Sequence, residues 1–419
     1  MRPMATLCAL LLLAAPDLDA LAQEYLKADA MRRREIRTEL DGHDTLTAKQ
    51  VVAWKTKLAA WGRKSGRRLT KRKGQHWFYG KKGFYDKKAK RGKFIVGGST
   101  GKGGLIIALH GGGKGQGDAG GAASTFSGIA SKLKCVCIAP EVLEKTERGW
   151  TTSGTEEFIL ELIEAAKKTW KIDPDRVYMV GHSMGGYGSW TVGAHHADLF
   201  AGLAPFAGAP TPITEDGSAY GKVVGLEDGV IPNLRNVALH VYQSLDDKNV
   251  PPEPNVYANK VVLEWQKEYG GYRYKYVEVD GRGHGAPPGG HVKGVQWVYQ
   301  TKRESRPKRI LWQPMFLKKR MFYWLWWDEP LRGALVEARI TEPNTIDLDL
   351  GGNELEGFRV FLDSALVDLD KEVVIRDGGD EVFRGKVART LTSLLMCAGE
   401  KYDTKMLFPA RVDLKEAAE

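Results

Sequence analysis

A single stretch, residues 177–186 (Val-Tyr-Met-Val-Gly-His-Ser-Met-Gly-Gly), constrains the fold of this chain more than any other. Its first four residues favour a strand, a Gly-x-Ser-x-Gly pattern follows at once, and residues 187–196 are compatible with a helix. Gly181 and Gly185 would let strand and helix close around a sharp turn that exposes Ser183. The N-terminus of the helix would place N–H donors and a positive dipole beside that serine. This arrangement predicts that Ser183 is the nucleophile of a serine hydrolase.

A second copy of the pattern occurs at residues 97–101 (Gly-Gly-Ser-Thr-Gly). It lies between two short strand-like runs, 94–96 and 105–109, and no helix follows it directly. We therefore interpret it as a hairpin or loop turn, and we do not expect Ser99 to be a nucleophile.

Strands and helices alternate over residues 92–300, which we interpret as a catalytic domain. The sequence predicts strands at 94–96, 105–109, 135–139, 177–180, 237–242 and 274–279, and helices at 126–133, 156–170, 187–196, 256–269 and 292–300. Such alternation is typical of an α/β fold with a mostly parallel sheet covered by helices on both faces.

The segment before this domain, residues 23–91, is basic and helix-biased. Residues 24–93 hold 22 Lys+Arg against 7 Asp+Glu, whereas the whole chain has a net charge of +10. Val51, Trp54, Leu58 and Trp61 recur at helical spacing, which predicts a helix docked on the next domain. The basic runs are compatible with contact to an acidic polymer or membrane surface, or with a solvated charged face; we expect no specific nucleic-acid partner.

Residues 1–22 have the pattern of a secretory signal peptide. Arg2 precedes an apolar run, and Ala20-Leu-Ala22 suits cleavage before Gln23. The run is too short to cross the roughly 30 Å of a bilayer core, so the sequence predicts export without a transmembrane span.

Beyond the catalytic domain the periodicity changes. Residues 301–315 are basic and contain two prolines, which favours a linker, and residues 316–419 alternate with period two, which predicts a small all-β domain with a possible helix at 390–398. Its cluster Trp324, Trp326 and Trp327 is compatible with sugar stacking or, more often, with a core. Because every candidate site residue precedes residue 300, we expect this domain to be separable from catalysis.

The cysteines indicate neither a disulfide scaffold nor a metal site. Cys135 and Cys137 stand two apart in one predicted strand, where a mutual bridge is disfavoured, and no second pair stands at ligand spacing. We expect buried cysteines and no metal or cofactor.

A serine nucleophile needs a histidine base and an acid that orients it. His284 lies in a glycine-rich loop just after the strand at 274–279, and His291 is the nearest alternative. His195 and His196 stand at the far end of the predicted helix and point away. Either Asp246 or Asp247, which follow the strand at 237–242, could supply the acid.

In combination, these motifs resemble the α/β-hydrolase family, specifically secreted esterases related to feruloyl esterases, polyhydroxybutyrate depolymerases and dienelactone hydrolases. The resemblance rests on Leu-His-Gly-Gly-Gly at 109–113, Ile-Asp-Pro-Asp-Arg at 172–176, Gly-His-Ser-Met-Gly-Gly at 181–186, Asp247-x-x-Val-Pro and Gly-His284-Gly. It implies that Asp247 is the acid, since the acid of the family usually stands three residues before Val-Pro. It also implies that Gly112 or Gly113, with Met184, donates N–H groups to the oxyanion.

Two features depart from the pattern: Ser244 replaces a common glycine three residues before the acid, and the two flanking regions have no counterpart in plain esterases. The first interpretation is therefore a carboxylic ester hydrolase acting on a small or polymer-linked ester. A peptidase resembling prolyl oligopeptidases is the alternative, although residues 23–91 cannot form the propeller of those enzymes. A third possibility is a non-catalytic module that binds an acidic polymer.

Overall fold

The computed structural model describes residues 17–79, 92–146, 149–152, 154–210, 229–354 and 356–414. Three helices come first: α1 Leu18–Tyr25, α2 Ala30–Leu40 and α3 Ala48–Lys64. Most of the predicted signal peptide, residues 1–16, lies outside the described residues. In the described ranges, no helix is long and apolar enough to cross a membrane.

An eight-stranded sheet forms the centre of the molecule. Its strands are β1 Gly74–Trp77, β2 Lys93–Gly98, β3 Gly104–Leu109, β4 Cys135–Pro140, β5 Val177–His182, β6 Gly202–Phe206, β7 Ala238–Ser244 and β8 Tyr274–Val279. They lie in the order β1-β2-β4-β3-β5-β6-β7-β8. All neighbours from β4 to β8 pair in parallel, and β2 is antiparallel to both β1 and β4. The predicted α/β fold with a mostly parallel sheet is confirmed.

Helices connect the strands: α4 Ala119–Lys132, α5 Thr155–Trp170, α6 Met184–His195, α7 Glu253–Tyr269 and α8 Val292–Tyr299. Alternation along β3 shows how both faces are covered. Leu105 and Ile107 pack in the core that includes α5 and α6, whereas Ile106 packs in the core that includes α4 and α8. Cys135 and Cys137 are buried, free thiols in the second core, as predicted.

The C-terminal region forms two further sheets. Its elements are β9 Arg309–Trp312, β10 Met321–Phe322, β11 Leu325–Trp327, β12 Val336–Glu342, β13 Thr345–Asp349, β14 Phe358–Leu362, β15 Glu372–Asp377, β16 Asp380–Lys386, α9 Leu391–Glu400 and β17 Ala410–Asp413. The sheet orders are β10-β11-β14-β17 and β16-β15-β13-β12-β9. Trp324, Trp326 and Trp327 are buried core residues.

The segment 301–315 differs from the exposed linker that its basic residues and prolines predicted. Strand β9 pairs with β12, and Ile310, Leu311 and Trp312 are buried. Arg303 is also buried, because it pairs with Asp175 and Asp403 at 2.7 Å each. Ion pairs of this kind cannot be predicted from the local sequence, because the partner residues are far away along the chain.

The N-terminal helices pack on a different partner from the one predicted. The stripe Val51, Trp54 and Leu58 is buried, as expected, but α1, α2 and α3 all contact α9 near the other end of the chain. Asp44 joins the two regions, since its carboxylate accepts a hydrogen bond from the N–H of Thr392 at 3.0 Å. The two flanking regions therefore pack against each other.

Charged contacts also connect the catalytic and C-terminal regions. The buried carboxylate of Asp198 pairs with Lys319 at 2.6 Å and with Lys401. Tyr323 donates from its hydroxyl to the carbonyl of Ala197 at 3.4 Å. These contacts argue against the separability that the sequence suggested, because cutting the chain after Arg306 would leave Asp198 without both of its lysines and Arg303 without Asp403.

We therefore predict that a chain ending at Arg306 is insoluble or strongly destabilised. Removing one partner of a buried ion pair costs about 3–5 kcal/mol, and this truncation breaks two such networks. The measurement is the thermal midpoint of truncated and full-length protein. An unchanged midpoint, with full turnover of a small ester, would restore the separable-domain interpretation.

Candidate active site

Ser183 stands on a strained turn between β5 and α6. Its backbone angles are φ 60° and ψ −126°, a region that a non-glycine residue rarely adopts. The turn depends on its glycines: a Cβ on Gly181 would lie 2.2 Å from the carbonyl oxygen of Gly185, and a Cβ on Gly185 would lie 2.2 Å from that of Leu109. The N–H of Ser183 donates to the carbonyl of Phe206 at 2.9 Å. The chain thus holds this serine at the carboxyl edge of the parallel sheet.

His284 and Asp247 complete a line of hydrogen bonds from this serine. His284 Nε2 lies 2.8 Å from Ser183 Oγ, and its Nδ1 lies 2.8 Å from Asp247 Oδ2. The Asp247 side chain is fully buried, while 24% of the His284 side chain is exposed. The other carboxylate oxygen, Oδ1, accepts from the N–H groups of Asn249 and Val250 at 2.9 Å each. These two bonds orient Oδ2 towards the imidazole. In this geometry Ser183 Oγ can transfer its proton to His284 Nε2.

The carboxylate of Asp246, the alternative acid, accepts hydrogen bonds from groups other than the His284 imidazole. Its Oδ1 accepts from Ser244 Oγ at 2.6 Å and from the N–H groups of Arg282 and Gly283 at 3.1 and 2.8 Å. The Ser244 hydroxyl and these N–H groups lower the pKa of Asp246. Asp246 therefore holds the backbone of the loop that carries His284, and the Ser244 hydroxyl donates to the same carboxylate.

The other candidate histidines and Ser99 make different contacts. His195 Nδ1 and His196 Nε2 both bond Glu156 Oε1, at 2.8 and 2.9 Å, at the far end of α6. His291 Nε2 lies 3.2 Å from His182 Nδ1. Ser99 sits in the turn after β2, where its N–H donates to the carbonyl of Cys135 at 2.7 Å.

The glycine loop after β3 lies next to Ser183. A Cβ on Gly111 would lie 3.2 Å from Ser183 Cβ, so this glycine, which the sequence did not single out, makes the closest approach. His110 is buried and its Nδ1 lies 2.8 Å from the carbonyl oxygen of Gly111. Because a trans peptide points its C=O and N–H in opposite directions, this bond turns the N–H of Gly112 away from His110.

The two other expected donors are Met184, which directly follows Ser183, and Gly113, at the end of the glycine loop. Met184 is the first residue of α6, where N–H groups lack helical partners. Gly113 has no atom within 4 Å of the position a Cβ would occupy, so this part of the loop is open.

The strand order, the helices on both sheet faces and the strained serine after β5 define an α/β-hydrolase fold. Within that class, residues 118–292 match the model of the Esterase family, described as "Putative esterase". The match spans Ser183, Asp247 and His284, but not the glycine loop at 110–113. The chain resembles the esterases of the α/β-hydrolase family over this region.

Relatives match over parts of their length. The chain is 28% identical over 168 residues to a bifunctional acetylxylan esterase/xylanase of Neocallimastix patriciarum, covering 36% of this chain and 24% of that protein. It is 32% identical over 117 residues to poly(3-hydroxyalkanoate) depolymerase C of Paucimonas lemoignei, covering 25% and 28%. The chain thus spans about a quarter of each of these two relatives.

Among solved structures, an acetyl xylan esterase of Aspergillus awamori aligns at 14% identity with a TM-score of 0.40, covering 49% of this chain and 93% of that one. A ferulic acid esterase of Anaeromyces mucronatus aligns at 17% identity with a TM-score of 0.36, covering 57% and 94%.

Proposed function

We propose that this protein is a serine ester hydrolase in which Ser183, His284 and Asp247 act as nucleophile, base and acid. The observation that carries the proposal is the pair of 2.8 Å contacts from Ser183 Oγ through His284 to Asp247. The Esterase family match over residues 118–292 supports ester hydrolysis as the reaction class.

The reaction would proceed through an acyl-enzyme. Ser183 Oγ attacks the ester carbonyl carbon while its proton passes to His284 Nε2, and Asp247 stabilises the imidazolium. N–H groups of Gly112 or Gly113 and of Met184 stabilise the negative oxygen. His284 then protonates the leaving alcohol. Water, deprotonated by His284, cleaves the acyl-serine and releases the carboxylic acid.

The experiment that tests this proposal compares three substrates on one preparation. A nitrophenyl acetate reports ester hydrolysis, a peptide nitroanilide reports the peptidase alternative, and an acetylated or feruloylated polysaccharide reports polymer-linked esters. We expect turnover of the esters and none of the peptide. Turnover of the peptide alone would favour the peptidase, and turnover of nothing would favour a non-catalytic binding module.

We further propose that the basic N-terminal region contacts an acidic polymer. Residues 64–75 are exposed apart from Ser65 and Leu69, and they carry six basic and no acidic side chains. None of these six forms a salt bridge within the described ranges, in contrast to Arg32, which pairs with Glu24, Glu35 and Glu39. Unpaired cations in one exposed segment attract polyanions.

The topology places this basic segment away from the candidate active site. Because β1 is antiparallel to β2 and β2 is antiparallel to β4, β1 runs in the same direction as the parallel strands. The segment leads into the first residues of β1 and therefore lies at the amino edge of the sheet, whereas Ser183 lies at the carboxyl edge. A polymer bound there would leave the candidate active site open.

We predict that the triple variant Lys71→Glu, Arg72→Glu, Lys73→Glu binds polygalacturonate on the order of tenfold more weakly at low salt, since exposed ion pairs contribute up to about 1 kcal/mol each. Co-sedimentation over a salt series measures this. Hydrolysis of a small ester should not change, and exposed Lys371→Glu is the control. Equal binding by the triple variant and the unaltered protein would indicate a merely solvated face.

We also propose export, on the strength of the apolar run and the Ala-Leu-Ala site in residues 1–22. Cleavage before Gln23 would divide α1, whose residue Ala22 is buried. The N-terminus of protein recovered from outside the producing cell, measured by mass spectrometry, tests the site; recovery only inside the cell would contradict export.

A further inference from the structure

The loop that carries His284 is rich in glycine. It contains Gly281, Gly283 and Gly285, and the first two adopt positive φ, at 72° and 50°. A Cβ on either of these two would meet no atom within 4 Å. Glycine backbone of this kind has many accessible conformations. The position of His284 therefore depends on a bond within the loop, from the Gly285 N–H to the Arg282 carbonyl, and on side chains that reach the loop from elsewhere, such as Asp246.

His182 is one of these side chains. It is the last residue of β5 and the neighbour of Ser183, and its Nε2 lies 3.2 Å from the carbonyl oxygen of His284. A carbonyl oxygen only accepts hydrogen bonds, so His182 Nε2 must carry a proton. This bond connects the side chain of the residue before the nucleophile to the backbone of the base.

His291 completes the arrangement from the other side. A neutral imidazole has one proton, so His182 with its proton on Nε2 presents Nδ1 as an acceptor. His291 Nε2, at 3.2 Å from this atom, is then the donor. The ring of His291 is held edge-on against Phe206 and Phe126, with centroids 4.7 and 5.2 Å away. Contacts therefore run from the two phenylalanines through His291 and His182 to the loop that carries His284.

Both histidines are favoured in the neutral form that this arrangement requires. Burial lowers the pKa of His182, and the nearby His284 lowers it further. Burial, with a contribution from His182, lowers the pKa of His291 to about 4. At neutral pH each ring then has one exchangeable proton. The two hydrogen bonds require that this proton is on Nε2 in both His182 and His291.

We propose that His182 and His291 are a positioning pair: His291 holds His182 in its Nε2–H tautomer, and His182 holds the carbonyl of His284 so that the imidazole meets Ser183. This inference rests on the proposed function of Ser183 and His284. Neither positioning residue touches the reacting atoms. The pair is separate from the Asp247 contact, because Asp247 binds the imidazole Nδ1 of His284 and His182 binds its backbone carbonyl.

Replacement of His182 tests the backbone bond. His182→Leu removes the donor, and we expect kcat for a small ester to fall about 10- to 100-fold with little change in KM, as for displacements of about 1 Å. His182→Gln places an amide N–H where Nε2–H stands, and we expect it to recover most of the activity. Exposed His43→Leu and His43→Gln are the matched controls.

Replacement of His291 tests the tautomer lock. His291→Phe fills the aromatic pocket without a donor and should lower kcat, whereas His291→Gln keeps a donor and should not. A glutamine side chain has no imidazole tautomers for His291 to fix. In the His182→Gln background, His291→Phe should therefore have little further effect on kcat. Additive losses in this double-mutant cycle would overturn the lock.

A spectroscopic measurement separates this inference from the proposed function. Nitrogen-15 shifts of the imidazoles at neutral pH should show His182 and His291 as neutral Nε2–H tautomers in active protein and in the inactive Ser183→Ala variant alike. A cationic or Nδ1–H His182 would overturn the inference, as would equal activity of His182→Leu and His182→Gln. Failure of Ser183→Ala to abolish hydrolysis would instead overturn the proposed function.

Discussion

Ser183→Ala should reduce ester hydrolysis by several orders of magnitude, since removal of a triad serine commonly costs about 10⁶ in turnover. The hydroxyl that lies 2.8 Å from His284 Nε2 would be lost, and the remaining groups could only polarise the ester. The variant should stay folded, because alanine removes a single oxygen. Turnover measured with a nitrophenyl ester and an unchanged thermal midpoint are the readouts.

Ser99→Ala is the matched control, because Ser99 stands in the other Gly-x-Ser-x-Gly pattern but sits in a turn after β2. Its activity should equal that of the unaltered protein. The reverse result, loss in Ser99→Ala and retention in Ser183→Ala, would contradict the assignment of the nucleophile.

Asp247→Asn should cost about 10⁴ in kcat, as it does where an acid fixes the tautomer of a triad histidine. The N–H groups of Asn249 and Val250 would select the amide oxygen at the Oδ1 position. The amide nitrogen would then face His284 Nδ1 and force its proton onto Nε2, where it blocks transfer from Ser183. The readout is kcat on the same ester.

Asp246→Asn is the paired control. Its Oδ1 only accepts hydrogen bonds, from Ser244, Arg282 and Gly283, and an amide oxygen can replace it. We therefore expect a small loss. Equal losses in the two variants would leave the acid unassigned.

The sequence predicted those features that depend on neighbouring residues. The strand-turn-helix around Ser183 and the order of strands and helices follow from local patterns. Strand β6 was missed because its Gly202 and Pro205 are unfavourable in strands, and tertiary packing between β5 and β7 overrides that preference. Strand β1, which is short and polar at the sheet edge, gave no periodic signal.

Features that depend on distant partners could not be predicted. The sequence around Arg303 predicts a basic linker. Its partners Asp175 and Asp403 stand 128 and 100 residues away, so the local sequence gives no indication that it is paired and buried. The position of His291 in the sequence indicates only an alternative base. Nothing in the local sequence indicates its contact with His182. Such pairs become visible only when the fold has brought them together.

The central claim, that Ser183 is an activated nucleophile, is tested most directly by a fluorophosphonate, which loses fluoride and forms a covalent bond to an activated serine oxygen. Peptide mass spectrometry of the treated protein then locates the adduct. We expect near-stoichiometric labelling at Ser183, with loss of ester hydrolysis in proportion, and no labelling of Ser183→Ala. Labelling at another serine, or full hydrolysis by protein that carries the label on Ser183, would contradict it.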